Sequence, residues 1–294
     1  MPEPLIEIAV EPKRGTDRNK LLHALAQIAG ADPSFRVATD AKSGQIIVSG
    51  TDEEHIETAI DRLKNMFGLD IATGAPQVAY RETITQPAAV DYTHKLIHGA
   101  SGQFARVKFH FEPLPAASGS VFESKIVGGS IPEACIPGVE KGARDLLNNG
   151  VLAGFPVIGL KITLVDGAYH EVDSSALAFE IAARAAVREG LTKASAKLLE
   201  PIMKVEVTTP LNYARDVLGD LRKRRSAIAR QDQRNDTLVI DGTAPLANLF
   251  GYTKDLAALT ADRGTITMTF SHYAPVPPPS PGDHPFPPAA GMRA

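Results

Sequence analysis

The run Asp166-Gly167-Ala168-Tyr169-His170-Glu171-Val172-Asp173-Ser174-Ser175 gathers an imidazole, carboxylates and hydroxyls in one short stretch. These groups suit two kinds of chemistry. A serine, a histidine and an aspartate can form a hydrolytic triad, or the same groups can hydrogen-bond a ligand without reacting. The spacing disfavours the triad. His170, Asp173 and Ser174 fall within five positions of one loop, with no strand-turn-helix elbow and no second segment to aim a nucleophile. An ordinary surface-loop histidine and a polar recognition loop remain as readings.

The flanking residues say how the stretch is held. Ile158-Gly159-Leu160-Lys161-Ile162-Thr163-Leu164-Val165 alternates as a strand. Asp166-Gly167 reads as a turn-forming pair, and polar side chains beyond it can bond nearby backbone N–H groups. A helix is expected from Ala176 to about Leu191, capped by Asp173, Ser174 or Ser175. The stretch is thus a loop projecting between a strand and a helix.

Composition narrows the function. The chain has 294 residues, 44% of them hydrophobic, with no tryptophan and only 6% aromatic residues. It can build one to three aliphatic cores of ordinary size. A net charge of −3 carries no global nucleic-acid signal, so any RNA contact must be local. The single cysteine, Cys135, excludes an internal disulfide and a cysteine-cluster zinc site and reads as a small apolar filler. No run approaches the ~20 apolar residues of a membrane span, and no signal-peptide core is visible, so a cytoplasmic setting is expected. No Gly-x-x-x-x-Gly-Lys-Ser/Thr run occurs, so a phosphate-binding loop of the nucleotide-hydrolase kind is absent from this sequence.

Taken in order, Leu5–Val10 alternates as a strand and a helix follows from about Asp17 with Leu21, Leu25 and Ile28 on one face. Strands are expected at Phe35–Thr39 and Gln45–Ser49, joined by a hairpin turn over Asp40–Gly44. A helix from about Asp52 to Met66 carries Ile56, Ile60, Leu63 and Phe67 in a stripe, and Leu69–Ala72 closes a β-α-β-β-α-β order. That order is a split βαβ, ferredoxin-like unit. It returns near the end: strand Met203–Thr208, helix Asn212–Arg225, strands near Ile228–Asp232 and Thr237–Ile240 around Gln233–Asp236, helix Leu246–Leu259 bent or interrupted at Gly251, and strand Thr265–Phe270. Between them, Phe104–Phe111 and Val121–Val127 alternate as strands, and a helix starts at Pro137 and stops at Asn148-Asn149-Gly150. The fold class is α+β: two ferredoxin-like domains flank an α+β domain with a βαβ crossover. After Ala274 the chain is nearly all Pro, Gly, Ala and Ser and is expected to be disordered.

Several runs resemble the C-terminal three domains of bacterial elongation factor G. They include Ala9-Val10-Glu11-Pro12-Lys13, Asp32-Pro33-Ser34-Phe35, Ala75–Ile84, Ser101-Gly102-Gln103-Phe104-Ala105, Asn149–Gly154, Tyr169–Ser175, Leu199–Val207, Asp216–Leu221 and Leu249-Phe250-Gly251-Tyr252. The resemblance covers nearly the whole chain except the proline-rich tail. It implies four segments: a ferredoxin-like domain at 1–78, the family's third; an α+β, tRNA-mimicking arm at 79–200, its fourth; a second ferredoxin-like domain at 201–275, its fifth; and a tail at 276–294.

The resemblance also implies a function. The arm enters the decoding site of the ribosome and drives or stabilises movement of tRNA and mRNA, without covalent chemistry of its own. Gly99, Ser101, Gly102 and Gln103 on one tip loop, with Tyr169, His170, Asp173 and Ser174 on the other, would contact the mRNA–tRNA pairing. Arg222, Lys223, Arg224 and Arg225 are either a solvated helix end, where cations favour the dipole, or a contact with ribosomal RNA. Glu53, His55 and Glu57 would lie on an interdomain face. Their run, Gly50-Thr51-Asp52-Glu53-Glu54-His55-Ile56-Glu57, departs from the family's Gly-Met-Gly-Glu-Leu-His-Leu-Glu, and Ser226 stands where the family has glycine. The expected partners are both ribosomal subunits and the mRNA–tRNA complex, with no membrane, no DNA and a monomeric state. No metal or cofactor is expected in this chain; GTP and Mg belong to domains it does not contain. A piece of a longer factor is the favoured expectation, with a free-standing ribosome- or RNA-binding module, or a recycling or ribosome-protection paralogue, as rivals.

Overall fold

In the strand that leads from the first tip loop, Ala105, Val107, Phe109 and Phe111 are fully buried while Arg106, Lys108, His110 and Glu112 are not. Such period-two burial packs one sheet face on a core and leaves the other solvated. The structure, a computed structural model, describes residues 4–14, 17–39, 44–74, 76–98 and 101–278. The expected hairpin turn at 40–43, Gly99, and the tail from 279 onward lie outside the described residues. The chain divides into two compact units, residues 1–79 with 200–274, and residues 80–199.

The first unit begins with β1 (Ile6–Pro12), α1 (Arg18–Ala31), β2 (Arg36–Thr39), β3 (Ile46–Gly50), α2 (Glu53–Phe67), β4 (Ile71–Thr73) and β5 (Gln77–Val78). The sheet order β2-β3-β1-β4 is that of a split βαβ unit, with β5 added beside β1. α2 forms because Ile56, Ile60 and Leu63 make one buried stripe and both ends are capped. The Asp52 side chain accepts from the His55 N–H at 2.8 Å, and Gly68 closes the helix in the left-handed conformation.

The second unit holds β6 (Arg81–Ile84), β7 (Ala88–His98), β8 (Ser101–Pro113), β9 (Ser120–Ser124), α3 (Ile136–Asn149), β10 (Leu160–Ala168) and α4 (Ala176–Lys193). Its sheet runs β7-β8-β10-β9, antiparallel except for the parallel pair β9 and β10, which α3 connects as a βαβ crossover. α4 packs on β7 and β8 and lies against α3. The two helices approach closely where α3 has glycine. A β-carbon on Gly138 would collide with the Ala176 carbonyl oxygen, and one on Gly142 with the Glu180 carbonyl oxygen. Ala178, Ala182, Ala183 and Ala186 keep α4 equally slim.

β11 (Ala196–Pro210) starts in the second unit, where residues 196–199 pair with β6, and ends in the first, where residues 202–210 pair with β13. The second half of the first unit continues with α5 (Ala214–Lys223), β12 (Ala227–Arg234), β13 (Thr237–Pro245), α6 (Tyr252–Thr260) and β14 (Thr265–Pro275). The order β12-β13-β11-β14 repeats that of the first sheet. Buried residues of both ferredoxin-like halves form one connected apolar cluster, so the two halves make one unit.

Several local expectations are corrected. Asp166-Gly167 is no turn: β10 continues through both residues, past a bulge after Leu164, because Lys108 and Val107 of β8 still offer ladder partners. Tertiary pairing overrides the local turn preference here. β7, whose apolar and polar residues mix, went unexpected. The strand expected to reach Val127 stops at Ser124, ahead of Gly128 and Gly129, both at positive φ. β11 extends the expected Met203–Thr208 at both ends. The interruption expected at Gly251 is present: a 3-10 turn at Leu246–Asn248 is followed by α6, and Gly251 between them has φ +70°.

Candidate functional site

The two tip loops meet. The Phe104 N–H of β8 donates to the Asp173 carbonyl at 2.9 Å, and the Ser174 hydroxyl donates to the Phe104 carbonyl at 2.6 Å. The Ser174 oxygen also accepts from the His170 N–H at 2.8 Å, and the Ser174 N–H donates to the His170 carbonyl at 3.0 Å. The loop is therefore a tight turn stitched to the edge of the other loop's strand. One position on, the Ser175 hydroxyl accepts from the Ala178 N–H at 3.2 Å, so Ser175 is the cap of α4. Of the three expected caps, Asp173 and Ser174 are committed to the loop instead.

Gly102 and Asp173 are packed against each other: a β-carbon at 102 would lie 2.8 Å from the Asp173 carboxylate. Gln103 points its side chain to His94 of β7, with Oε1 3.0 Å from Nε2. His170 is 58% exposed and turns Nδ1 back into the loop, 3.3 Å from both the Asp173 N–H nitrogen and the Asp173 carboxylate. Tyr169 and Val172 are exposed on the same loop, and Ile97 of β7, whose ladder partner is Gly102, is exposed as well. The Ser101 backbone pairs with His98 at the start of β8. Further down the sheet, Arg106 bonds Asp91 from β7, with Nε 2.7 Å from the carboxylate, and this contact holds the Asp91 carboxyl below its ordinary range.

A hydrolytic triad is not assembled. The Ser174 hydroxyl is spent on the Phe104 carbonyl and the His170 backbone, and no hydrogen bond joins it to an imidazole nitrogen. What the pair of loops can do is present hydrogen-bonding groups and close backbone approach to a ligand.

The basic cluster splits in two. Arg222 and Lys223 are exposed at the end of α5. Arg224 is built into the fold: its guanidinium bonds Asp220 at 2.7 Å and the Asn248 carbonyl at 3.0 Å, pairs with Asp255, and lies over the Tyr252 ring at 4.6 Å. Burial pushes the Tyr252 phenol up. Arg225 bonds Glu200, which is 2% exposed, at 2.7 Å. Glu53 and Glu57 join the two ferredoxin-like halves, Glu53 accepting from the Gly251 N–H at 2.7 Å and Glu57 from Lys254 at 2.8 Å. His55 stays within its own half. Its Nδ1 accepts from the Thr51 N–H at 3.2 Å, which leaves Nε2 to donate to Asp32 at 2.9 Å.

Glu82 is a further buried polar group that is not among the expected site residues. It is 1% exposed, and its carboxylate accepts backbone N–H groups of Val151, Leu152 and Ala153 at 2.7 to 3.1 Å. The residues themselves carry no signal of this: Arg81-Glu82-Thr83-Ile84 is polar at three of its four positions, and the inward turn of Glu82 and Ile84 appears only in the folded chain, where β6 pairs with β11.

The chain does not fit a GTP–Mg site. The sequence has no phosphate-binding loop, and among the described residues no cluster of three or more His, Cys, Asp or Glu could hold a metal ion. No helix among them is long and apolar enough to cross a membrane.

Two split-βαβ halves joined to an α+β unit with stitched tip loops make the C-terminal architecture of a translation factor. Family models agree: Elongation Factor G, domain III matches residues 1–75, Elongation factor G, domain IV residues 76–195, and Elongation factor G C-terminus residues 197–282. The elongation factor G of Paracoccus denitrificans is 56% identical over 94% of this chain, which spans 39% of that protein. That of Rhodopseudomonas palustris is 55% identical, with 94% and 40% covered. A crystal structure of a Thermus thermophilus protein superposes with a TM-score of 0.71 at 39% identity, over 95% of this chain and 42% of that one. The chain belongs to the elongation factor G family and carries its domains III, IV and C-terminal domain; it spans about two fifths of the length of these relatives.

Proposed function

We propose that the chain is the ribosome-engaging part of a translocation factor, and that its loop pair enters the decoding site as tRNA and mRNA move. The observation that carries this reading is the juxtaposition of the loops: Asp173 and Ser174 bond both backbone groups of Phe104. That stitching gathers Gly102, Gln103, Tyr169 and His170 at one end of one sheet. A short RNA duplex displays 2′-hydroxyls and base edges in a wide, shallow minor groove and is read there by shape. Exposed polar side chains and glycine backbone suit such contacts and carry no sequence demand, as a factor serving every codon requires.

The arm then acts by occupancy. It fills space left by the moving tRNA and biases a reversible motion, because it binds the moved state better than the unmoved one. GTP hydrolysis would reside in a portion of the factor beyond this chain. Arg222 and Lys223 supply charge for ribosomal RNA on the other unit, in line with counterion-release binding.

The test uses a factor that joins this chain to a GTP-binding portion. His170→Ala and Gln103→Ala should each slow mRNA movement by about tenfold, the worth of one or two lost hydrogen bonds. Ribosome-stimulated GTP hydrolysis should keep its rate. Unimpaired movement in both variants would sink the assignment of the tip.

A further inference from the structure

We propose that Ser174 is the positioning residue of this site. It aims His170 and locks the His170 loop to the Gln103 strand, so that the two loops act as one rigid surface toward RNA. The inference rests on the reading above and adds to it the residue that makes the surface.

Three hydrogen bonds carry the argument. The Ser174 hydroxyl has one proton, and it goes to the Phe104 carbonyl at 2.6 Å. The hydroxyl oxygen then offers its lone pairs to the His170 N–H at 2.8 Å. On the other side of the same residue, the Phe104 N–H donates to the Asp173 carbonyl at 2.9 Å. Ser174 and Asp173 thus pair with Phe104 as a strand would, at a point where no strand continues. Gln103 is the preceding residue of β8, so its backbone is held by the same clasp.

The clasp sets what His170 presents. With its backbone pinned, the ring turns Nδ1 inward toward the Val172 and Asp173 N–H groups, at 3.4 and 3.3 Å, and toward the Asp173 carboxylate at 3.3 Å. Whatever its protonation, that edge of the ring is occupied by the loop itself. Nε2 is the edge left for a ligand, and a 2′-hydroxyl, which both donates and accepts, is the RNA group that matches it. Gly102 completes the fit, since a β-carbon there would make the Asp173 carboxylate shift from its place beside the His170 ring.

The test has two arms on this chain. Long-range 1H–15N spectra of His170 report the environment of both ring nitrogens. Wild type and Ser174→Thr, which keeps the hydroxyl, should show distinct, matching shifts, while Ser174→Ala and Gly102→Ala move both nitrogens toward free-histidine values. In the second arm, binding to ribosomes carrying mRNA and tRNA is measured. Ser174→Ala should lose as much as His170→Ala, about fivefold to tenfold for one to two hydrogen bonds. The double variant should lose no more than either, and Ser174→Thr should bind like wild type. Unchanged His170 spectra in Ser174→Ala, or additive losses in the double variant, would overturn the proposal. Full binding by His170→Ala would instead count against the tip reading, and the spectra would still decide the clasp.

Discussion

The Glu82 carboxylate lies 2.7 Å from the Val151 backbone nitrogen, and a buried carboxyl group is thereby hydrogen-bonded by a loop that wraps it. Leu152 and Ala153 N–H groups point at the same carboxylate, and a β-carbon on Gly150 would collide with it. Removing the acceptor would strand several donors away from water. Glu82→Ala should therefore destabilise the second unit by about 3–5 kcal/mol, and Glu82→Gln by less, since an amide oxygen can still accept. Chemical denaturation of the three proteins measures both; equal stability would refute the role.

The approach of α3 to α4 gives a second test. At Gly142 the obstruction to a β-carbon is backbone, which cannot rotate away. Gly142→Ala should push the helices apart and cost about 1–3 kcal/mol. Gly219, inside α5, meets nothing within 4 Å. Gly219→Ala should instead stabilise by about 0.5–1 kcal/mol, from helix propensity and a less free unfolded chain. Thermal melts of both variants should move in opposite directions.

The basic cluster predicts two different phenotypes from neighbouring residues. Arg224 is enclosed by Asp220, Asp255, Asn248 and Tyr252, so Arg224→Ala should cost about 2–3 kcal/mol of stability. Lys223 is exposed, and Lys223→Ala should leave the melting midpoint in place. Its effect should appear in ribosome binding, as a salt slope shallower by roughly one. An unaltered slope would assign Lys223 to the solvated helix end.

Acid should loosen the first ferredoxin-like half through Asp32. Its carboxylate accepts from the Ser34 hydroxyl at 2.6 Å and the Ser34 N–H at 2.9 Å and faces His55, and these bonds hold its carboxyl below the ordinary 3.8. A carboxyl held low in the folded state contributes stability above its ordinary value. That contribution is lost as pH falls through the lowered one. The stability gap between wild type and Asp32→Asn should be full at neutral pH and should close below about pH 4. A gap that persists at about pH 2 would remove Asp32 from the acid response.

What the sequence determined by itself is local and periodic. The buried row Ala105, Val107, Phe109 and Phe111, the stripe Ile56, Ile60 and Leu63, and the repeated β-α-β-β-α-β order were all legible, because apolar spacing is written residue by residue. Only the tertiary structure decided where hydrogen-bonding groups far apart in the chain would meet. Asp166-Gly167 reads as a turn until β8 supplies a ladder partner. Arg224 reads as part of a solvated helix end or a phosphate contact until Asp255 and Tyr252 close around it, and Ser174 reads as one of three candidate helix caps until Phe104 arrives from seventy residues away. A polar side chain's role is set by the partner that satisfies it, and that partner is chosen by the fold, whereas an apolar side chain needs only to leave water.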